Sequence, residues 1–316
     1  MSPQGRPEGE SAPTRVSAEG SPVGPQGRPE GESAPKRVSA EGSPVSMPSG
    51  AVARHRGAPR LHVESVGQGR PLVLLHGFAL HGGLFAQLLP ALAQHHRIHV
   101  VDLPGHGHSD PIDPWTIDAV VAALERAFVA EPPPLAVMGW SLGGVIALAW
   151  ALAHPDRLRK LVLVGTSPRF VADESWPHAM APAMLARFGD ELRVACRLTL
   201  QRFLSLQVQG SEAGYATLVA LRHQLFARGE PDPAMLCAAL GALAGADLRA
   251  DVARIAIPTL VVAGERDTLA PPQASAWLVQ ALPAAQLLRL PGAGHAPFLS
   301  HPEAFRDALL GFLADE

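Results

Sequence analysis

Ser141 stands between two glycines in Gly139-Trp140-Ser141-Leu142-Gly143, directly after the apolar run Leu135-Ala136-Val137-Met138. A strand that breaks into a helix at such a point holds its central residue in a tight turn. Flanking glycines remove the Cβ atoms that would clash there. Ser141 is therefore presented as a nucleophile, and the apolar stretch from Val145 to Ala153, ending at His154-Pro155, supplies the helix that should follow.

A serine hydroxyl needs a base, an acid to orient that base, and donors for the developing oxyanion. Asp267 lies just past the apolar run Thr259 to Gly264, which reads as a buried strand. His295 ends Pro291-Gly292-Ala293-Gly294-His295, a loop that follows a further strand from Gln286 to Leu290. Side chains at such strand ends point into the crevice of an open parallel sheet. The competing acids Asp247 and Asp251 sit near a helix start, where a capping role is expected. One oxyanion donor is expected from the Leu142 amide. The second is expected from Phe78, which Gly77 can aim by a sharp bend after the strand Pro71 to Leu75. His76 reads as a structural hydrogen-bonding group.

With 316 residues, 47% of them hydrophobic, and a net charge of −3, the chain can bury a sizeable core and has no charge signature for nucleic acid. No run approaches the roughly 18 apolar residues of a membrane-spanning helix. The N-terminus lacks the apolar core of a secretory signal, and a cytoplasmic location is expected. Cys196 and Cys237 lie in apolar helical patterns and are expected as free thiols. His106 and His108 in Pro-Gly-His-Gly-His-Ser-Asp have no partner set for a metal, and neither a metal nor an organic cofactor is implied. The chain is expected to be monomeric.

Residues 3–23 recur at 25–45 with one difference, Thr14 against Lys36. Rich in Pro, Gly, Ser, Glu and Arg, residues 1–46 cannot bury enough surface to offset their conformational entropy, so a disordered tail is expected. Translation starting at Met47, with the repeat outside the native protein, is the sharper expectation.

From about residue 60, short apolar runs alternate with helical patterns, which predicts an α/β fold with a mainly parallel sheet flanked by helices. Strands are expected at 60–66 and 71–75 as an initial pair, then at 97–101, 135–138, 160–164, 259–263 and 286–290. Between residues 167 and 245 only helical patterns remain, broken near Gly189, Gly210 and Gly229, which predicts a helical cap inserted into a core of 47–166 and 246–316. Leu192, Ala195, Cys196, Thr199, Phe203 and Leu206 keep a 3.6-residue spacing, a stripe that suits simple packing or the site. Trp176, Phe203 and Leu206 are candidates to line an acyl pocket. Arg187, Arg193, Arg197, Arg202, Arg222 and Arg228 make the cap basic, which suits an acidic partner or a solvated face.

Leu-Leu-His-Gly-Phe at 74–78, the run 101–110, Gly-Trp-Ser-Leu-Gly-Gly at 139–144, 154–164 and 294–302 together resemble the α/β-hydrolase superfamily. Within it, the segments 167–177 and 201–207, with His-Ala-Pro-Phe-Leu-Ser-His-Pro at 295–302, are similar to the methyl ester esterases that act on pimeloyl-[acyl-carrier protein] in biotin synthesis. The resemblance runs from about Leu61 to the C-terminus. It implies a triad of Ser141, Asp267 and His295, with substrate contacts from Phe78, Ser141, Leu142, His295 and the run Phe203, Leu204, Ser205, Leu206, Gln207. It also implies an acyl-carrier protein as partner, met by Arg202 and Arg197, with Arg222 one turn away. Phe78 stands where that family carries tryptophan, and Tyr215 and Val219 stand at two places where it carries arginine. A generalist short-acyl carboxylesterase, an acyltransferase, and a non-catalytic receptor built on the same fold are the rival readings. The serine in the elbow argues against the aspartate nucleophile of dehalogenases.

Overall fold

The computed structural model describes residues 58–314, so the repeat and the expected start at Met47 lie outside the described residues. Among the described residues, seven strands form one sheet: β1 (Val63–Val66), β2 (Arg70–Leu75), β3 (His96–Val101), β4 (Leu135–Trp140), β5 (Leu158–Val164), β6 (Thr259–Gly264) and β7 (Ala285–Leu290). Their order is β1-β3-β2-β4-β5-β6-β7. All neighbours run parallel except β1, which pairs antiparallel with β3 in the register Val63 to Val101. The expected initial pair is thus separated. β1 lies at an edge with three of its four residues exposed, whereas β2 carries Leu72–Leu75 into the interior, where only an inner strand can bury both faces.

Nine helices, counted among the described residues, complete the chain: α1 (Leu89–Leu92), α2 (Ile117–Ala127), α3 (Leu142–Ala153), α4 (Pro182–Gln207), α5 (Gly214–Leu225), α6 (Pro233–Gly245), α7 (Pro272–Ala281), α8 (Pro297–Ser300) and α9 (Pro302–Leu313). Helix α3 is apolar on every side, and Leu142 to Ala151 are all buried. A helix of that composition has to lie inside, and it packs on β4 and β5. By contrast α2 keeps Val120, Val121, Ala123 and Leu124 on its buried side and a polar face outward, as a covering helix should. Strand order reverses between β2 and β4, which opens the crevice at their C-terminal ends where α/β sheets hold ligands.

Residues 167–245, between β5 and β6, hold α4, α5 and α6 in place of strands. The break expected at Gly189 does not occur. Gly189 lies inside α4 with its α-carbon facing Leu240 of α6, so the small residue serves close helix packing. The helix instead kinks at Ala195, whose backbone (φ −142°, ψ 53°) leaves the helical region. Gly210 and Gly229 do separate the helices, each with positive φ.

The cap is tied to the core by buried polar bonds. Arg228, following α5, donates to Asp102 Oδ2 at 2.9 Å and to Glu64 at 2.5 Å. Asp102 is fully buried after β3, and its carboxylate also accepts the amides of Gly82 and His108 at 2.8 Å each. Nearby, the His81 imidazole donates to the Gln224 carbonyl at 2.7 Å and accepts the Gly83 amide. Removing one partner from a buried ion pair leaves an uncompensated charge. Arg228→Met should therefore destabilise the protein by roughly 3 kcal/mol, read as a lowered urea midpoint. A loss below about 0.5 kcal/mol, the scale of an exposed pair, would show that this contact carries no load.

Candidate active site

Strand β4 enters the sheet through buried apolar residues and ends at Trp140. Ser141 then turns the chain into α3 with φ 55° and ψ −115°, a conformation that costs a non-glycine residue about 1–3 kcal/mol. The strain is held by neighbours that leave no room for side chains. A Cβ at Gly139 would come within 2.3 Å of the Gly143 carbonyl, and one at Gly143 within 2.3 Å of the Leu75 carbonyl. The Ser141 amide donates to Val164 of β5 at 2.9 Å, and its hydroxyl makes no capping bond to α3. Leu142 is the first residue of α3, so its amide has no carbonyl to meet within the helix.

The structure brings Asp267 and His295 together from chain positions 28 residues apart, with Nδ1 of the imidazole 2.7 Å from Asp267 Oδ2. The other carboxylate oxygen accepts the amides of Leu269 and Ala270 at 2.9 Å each, which fixes the acid in place. With Nδ1 carrying the proton toward Asp267, Nε2 is left as the lone-pair nitrogen. Ser141 and His295 line the same cavity. Asp247 and Asp251 do not reach it: Asp247 pairs with Arg249 and Arg169, and Asp251 with Arg254.

Trp140 links these pieces. Its indole N–H donates to the His295 carbonyl at 2.8 Å, its ring lies 5.3 Å from that of Phe298, and its benzo edge fills the space where a Cβ on Gly77 would sit, at 2.8 Å. Gly77 is therefore needed for room beside the indole. The left-handed residue in the turn after β2 is Ala79, at φ 64°, two residues past Gly77.

The cavity, of about 350 Å³, has walls from the core and from the cap. Phe78 packs edge-on against Phe188 and Phe203, with centroids 6.0 and 5.9 Å away, and these rings with Leu206, Met184 and Leu240 form much of its surface. Phe203 and Leu206 line it as the sequence suggests. The neighbouring Leu204, Ser205 and Gln207 do not, because a helix turns successive residues to different sides: Leu204 and Gln207 are buried beneath the helix and Ser205 is exposed. Trp176 is elsewhere, edge-on to Trp277 at 5.3 Å with its indole N–H on the Arg169 carbonyl. Phe188, Met184, Phe170 and Leu269 were not singled out by the sequence; the 3.6-residue relation of Met184, Phe188 and Glu191 on α4 is a signal for the first two, whereas Phe170 and Leu269 lie in loops and carry no such spacing.

At the rim, Arg187 and Arg202 flank Glu191, at 2.7 and 3.9 Å, and all three line the cavity. Arg187 and Arg202 are exposed, whereas Ser141 and His295 are buried, so the charged groups mark the mouth and the hydroxyl the floor. Arg197 points away, paired with Glu230 and stacked on Phe226 at 4.0 Å. Arg222 lies in the last turn of α5 and does not line the cavity. Cys196 and Cys237 are free thiols, and burial pushes the Cys196 thiol up.

His76 is fully buried at the end of β2. It donates from Nδ1 to the Gly77 carbonyl at 2.8 Å and accepts the Leu103 amide on Nε2 at 2.9 Å, so it ties the loops after β2 and β3 together. Among the described residues, one group of three could hold a metal by proximity: His62, Asp102 and His108. Both Asp102 oxygens are already taken by amides and by Arg228, which does not suit a cation. No described helix is long and apolar enough to cross a membrane.

The α/β hydrolase fold family model matches residues 70–302. The chain belongs to this family. Among curated relatives of the hydrolase, a pimeloyl-[acyl-carrier protein] methyl ester esterase of Chromobacterium violaceum is 48% identical over 249 residues, 79% of this chain and 96% of that protein. The protein of the same name from Xanthomonas oryzae pv. oryzae is 43% identical over 255 residues, 80% of this chain and 99% of that one. A bromoperoxidase from Bacillus anthracis (TM-score 0.76, 24% identity, 82% of this chain and 97% of that one) and an esterase from Exiguobacterium antarcticum (TM-score 0.74, 22% identity, 80% and 95%) share the hydrolase fold.

Burial holds the His76 imidazole down at about 3, reinforced by the neighbouring His106. In the unfolded chain the same ring gains a proton near pH 6.5, so the unfolded state binds more protons below that value and stability falls as the solution is acidified toward pH 3. Going from about pH 7.5 to about pH 5.5 should cost roughly 1 kcal/mol through this ring. Urea titrations of wild type and His76→Gln at the two pH values measure it: the variant, with no proton to gain, should show the shallower dependence, and an equal slope would refute the assignment.

Proposed function

We propose that the protein is a serine carboxylesterase that hydrolyses the methyl ester of a pimeloyl chain carried by an acyl-carrier protein, releasing methanol. One observation carries the chemistry: a strained serine that shares an apolar cavity with an imidazole oriented by a buried aspartate. The names of its relatives at 43–48% identity support the substrate.

Ser141 Oγ attacks the ester carbonyl as His295 Nε2 takes its proton, and Asp267 stabilises the imidazolium through Nδ1–H. The amides of Leu142 and Phe78 receive the oxyanion. Collapse of the tetrahedral adduct breaks the bond to methoxide, which leaves as methanol with the proton from His295. Water, deprotonated by the same imidazole, then attacks the acyl-enzyme, the proton returns to Ser141, and a free carboxylate departs. The thioester to the carrier stays intact because it lies at the far end of the acyl chain.

That geometry suits the cavity. Phe78, Phe188, Phe203 and Leu206 offer apolar walls to methylene groups, and the rim of Arg187, Glu191 and Arg202 lies where the arm of an acidic carrier would emerge. Arg202 is the carrier contact this arrangement favours, with Arg187 beside it. No step calls for a metal or an organic cofactor. In the wider setting, the reaction would supply a free carboxylate for biotin synthesis.

Ser141→Ala should lower turnover by about four orders of magnitude while the fold persists, measured with p-nitrophenyl butyrate beside a circular dichroism spectrum. Near-normal turnover would remove the catalytic assignment and leave a receptor on the same fold as the reading. For the substrate, methyl pimeloyl-carrier protein should be cleaved with a kcat/KM at least about ten-fold above that of methyl butyrate, since burying each further methylene contributes about 0.8 kcal/mol. Comparable values for the two would favour a generalist esterase. Growth of a biotin-requiring strain lacking its own esterase, restored by this chain, checks the same point in cells.

A further inference from the structure

The loop that carries His295 is held by the cap as well as by the core. Its amide donates to the carbonyl of Gln207, the last residue of α4, at 2.9 Å. Three residues earlier the Gly292 carbonyl accepts the Glu212 amide at 3.0 Å. The contact is tight: a Cβ on Gly294 would lie 2.8 Å from the Gln207 carbonyl, and one on Gly292 2.6 Å from the Glu212 carboxyl carbon. Arg266, the residue before Asp267, closes the arrangement. Its amide donates to Ala293 at 2.9 Å, and its guanidinium donates to the Gly210 carbonyl at 2.8 Å and to Glu212 Oε1 at 3.1 Å.

The turn 207–212 is thus clamped between the loop that bears the aspartate and the loop that bears the histidine. We propose that Arg266 and Glu212 are positioning residues, which fix the last turn of α4 so that the Gln207 carbonyl sets the main chain of His295. Because Phe203 and Leu206 of the same turn line the acyl cavity, a chain seated against them bears on the His295 backbone through this clamp. The ion pair itself is about half exposed, and exposed pairs contribute little to stability. Its effect is geometric, and small displacements of a base from a nucleophile are costly to rate.

This inference rests on the roles proposed for Ser141, Asp267 and His295, and its test separates the two. Arg266→Met, Glu212→Gln, the double variant and Ser141→Ala are assayed with p-nitrophenyl butyrate, with active sites counted by a fluorophosphonate that labels the reactive serine. Arg266→Met should lower kcat per labelled site by about ten-fold, with KM changed less than about three-fold and the thermal midpoint near that of wild type. Glu212→Gln should fall between, Arg266→Lys should recover part of the rate, and the double variant should be no worse than Arg266→Met because both substitutions open one clamp. Wild-type kcat per site in Arg266→Met, or a loss explained wholly by fewer labelled sites and a lowered midpoint, would overturn the positioning role. In either case an inactive Ser141→Ala leaves the catalytic reading standing, whereas an active Ser141→Ala removes that reading whatever Arg266→Met does.

Discussion

A single indole sets the spacing of three loops. Trp140 sits one residue before the serine, and its N–H holds the His295 carbonyl while its ring occupies the room beside Gly77. Loops from three separate parts of the sheet edge, after β2, β4 and β7, therefore meet on one rigid side chain whose own position is fixed by a strand buried on both faces. A large flat ring with one donor suits this task. It brings much buried area for two rotatable side-chain bonds, and its polar atom fixes direction as well as distance. The strain at Ser141 is tolerable because the glycine packing and the strand ladder around it leave the backbone no other conformation.

Burial then separates two sets of polar groups. His76, His106 and Asp102 lie beneath the loops after β2 and β3, and burial holds both imidazoles below their ordinary range. The imidazoles act as neutral struts, and Asp102 with Arg228 anchors the cap to the core. Asp267 and His295 are as deeply buried but face each other, and His295 lines the cavity. Among the described residues, His295 is the imidazole that lines the cavity, while His76 is committed to a carbonyl and an amide.

How much of this was legible in the sequence depends on the range of the interaction. The five inner strands could be read because inner strands of a parallel sheet are short continuous apolar runs, and Ser141 follows one directly while Asp267 and His295 lie in the loops after β6 and β7. The pairing of β1 with β3 could not, since nothing local says which strand lies beside an edge strand. In the cap the local rules failed twice. Gly189 reads as a helix breaker but is a contact with Leu240, and the true kink falls on Ala195, a residue with no breaking tendency of its own. The run Phe203 to Gln207 carries a family pattern, yet a helix assigns only Phe203 and Leu206 to the cavity. Trp176 was an aromatic of the right kind in the wrong place, because its partner Trp277 is about a hundred residues away in sequence.

The kink at Ala195 also divides α4 by consequence. Before it, Met184 and Phe188 line the cavity on a stretch whose Gly189 packs against Leu240 of α6. After it, Phe203 and Leu206 line the cavity on the turn whose last carbonyl holds the His295 amide. Phe188 of the first half meets Phe203 of the second with 5.2 Å between ring centroids, so the two walls are packed together across the kink. The second half is bonded to the main chain of His295 through the Gln207 carbonyl, so the packing of both walls bears on that loop.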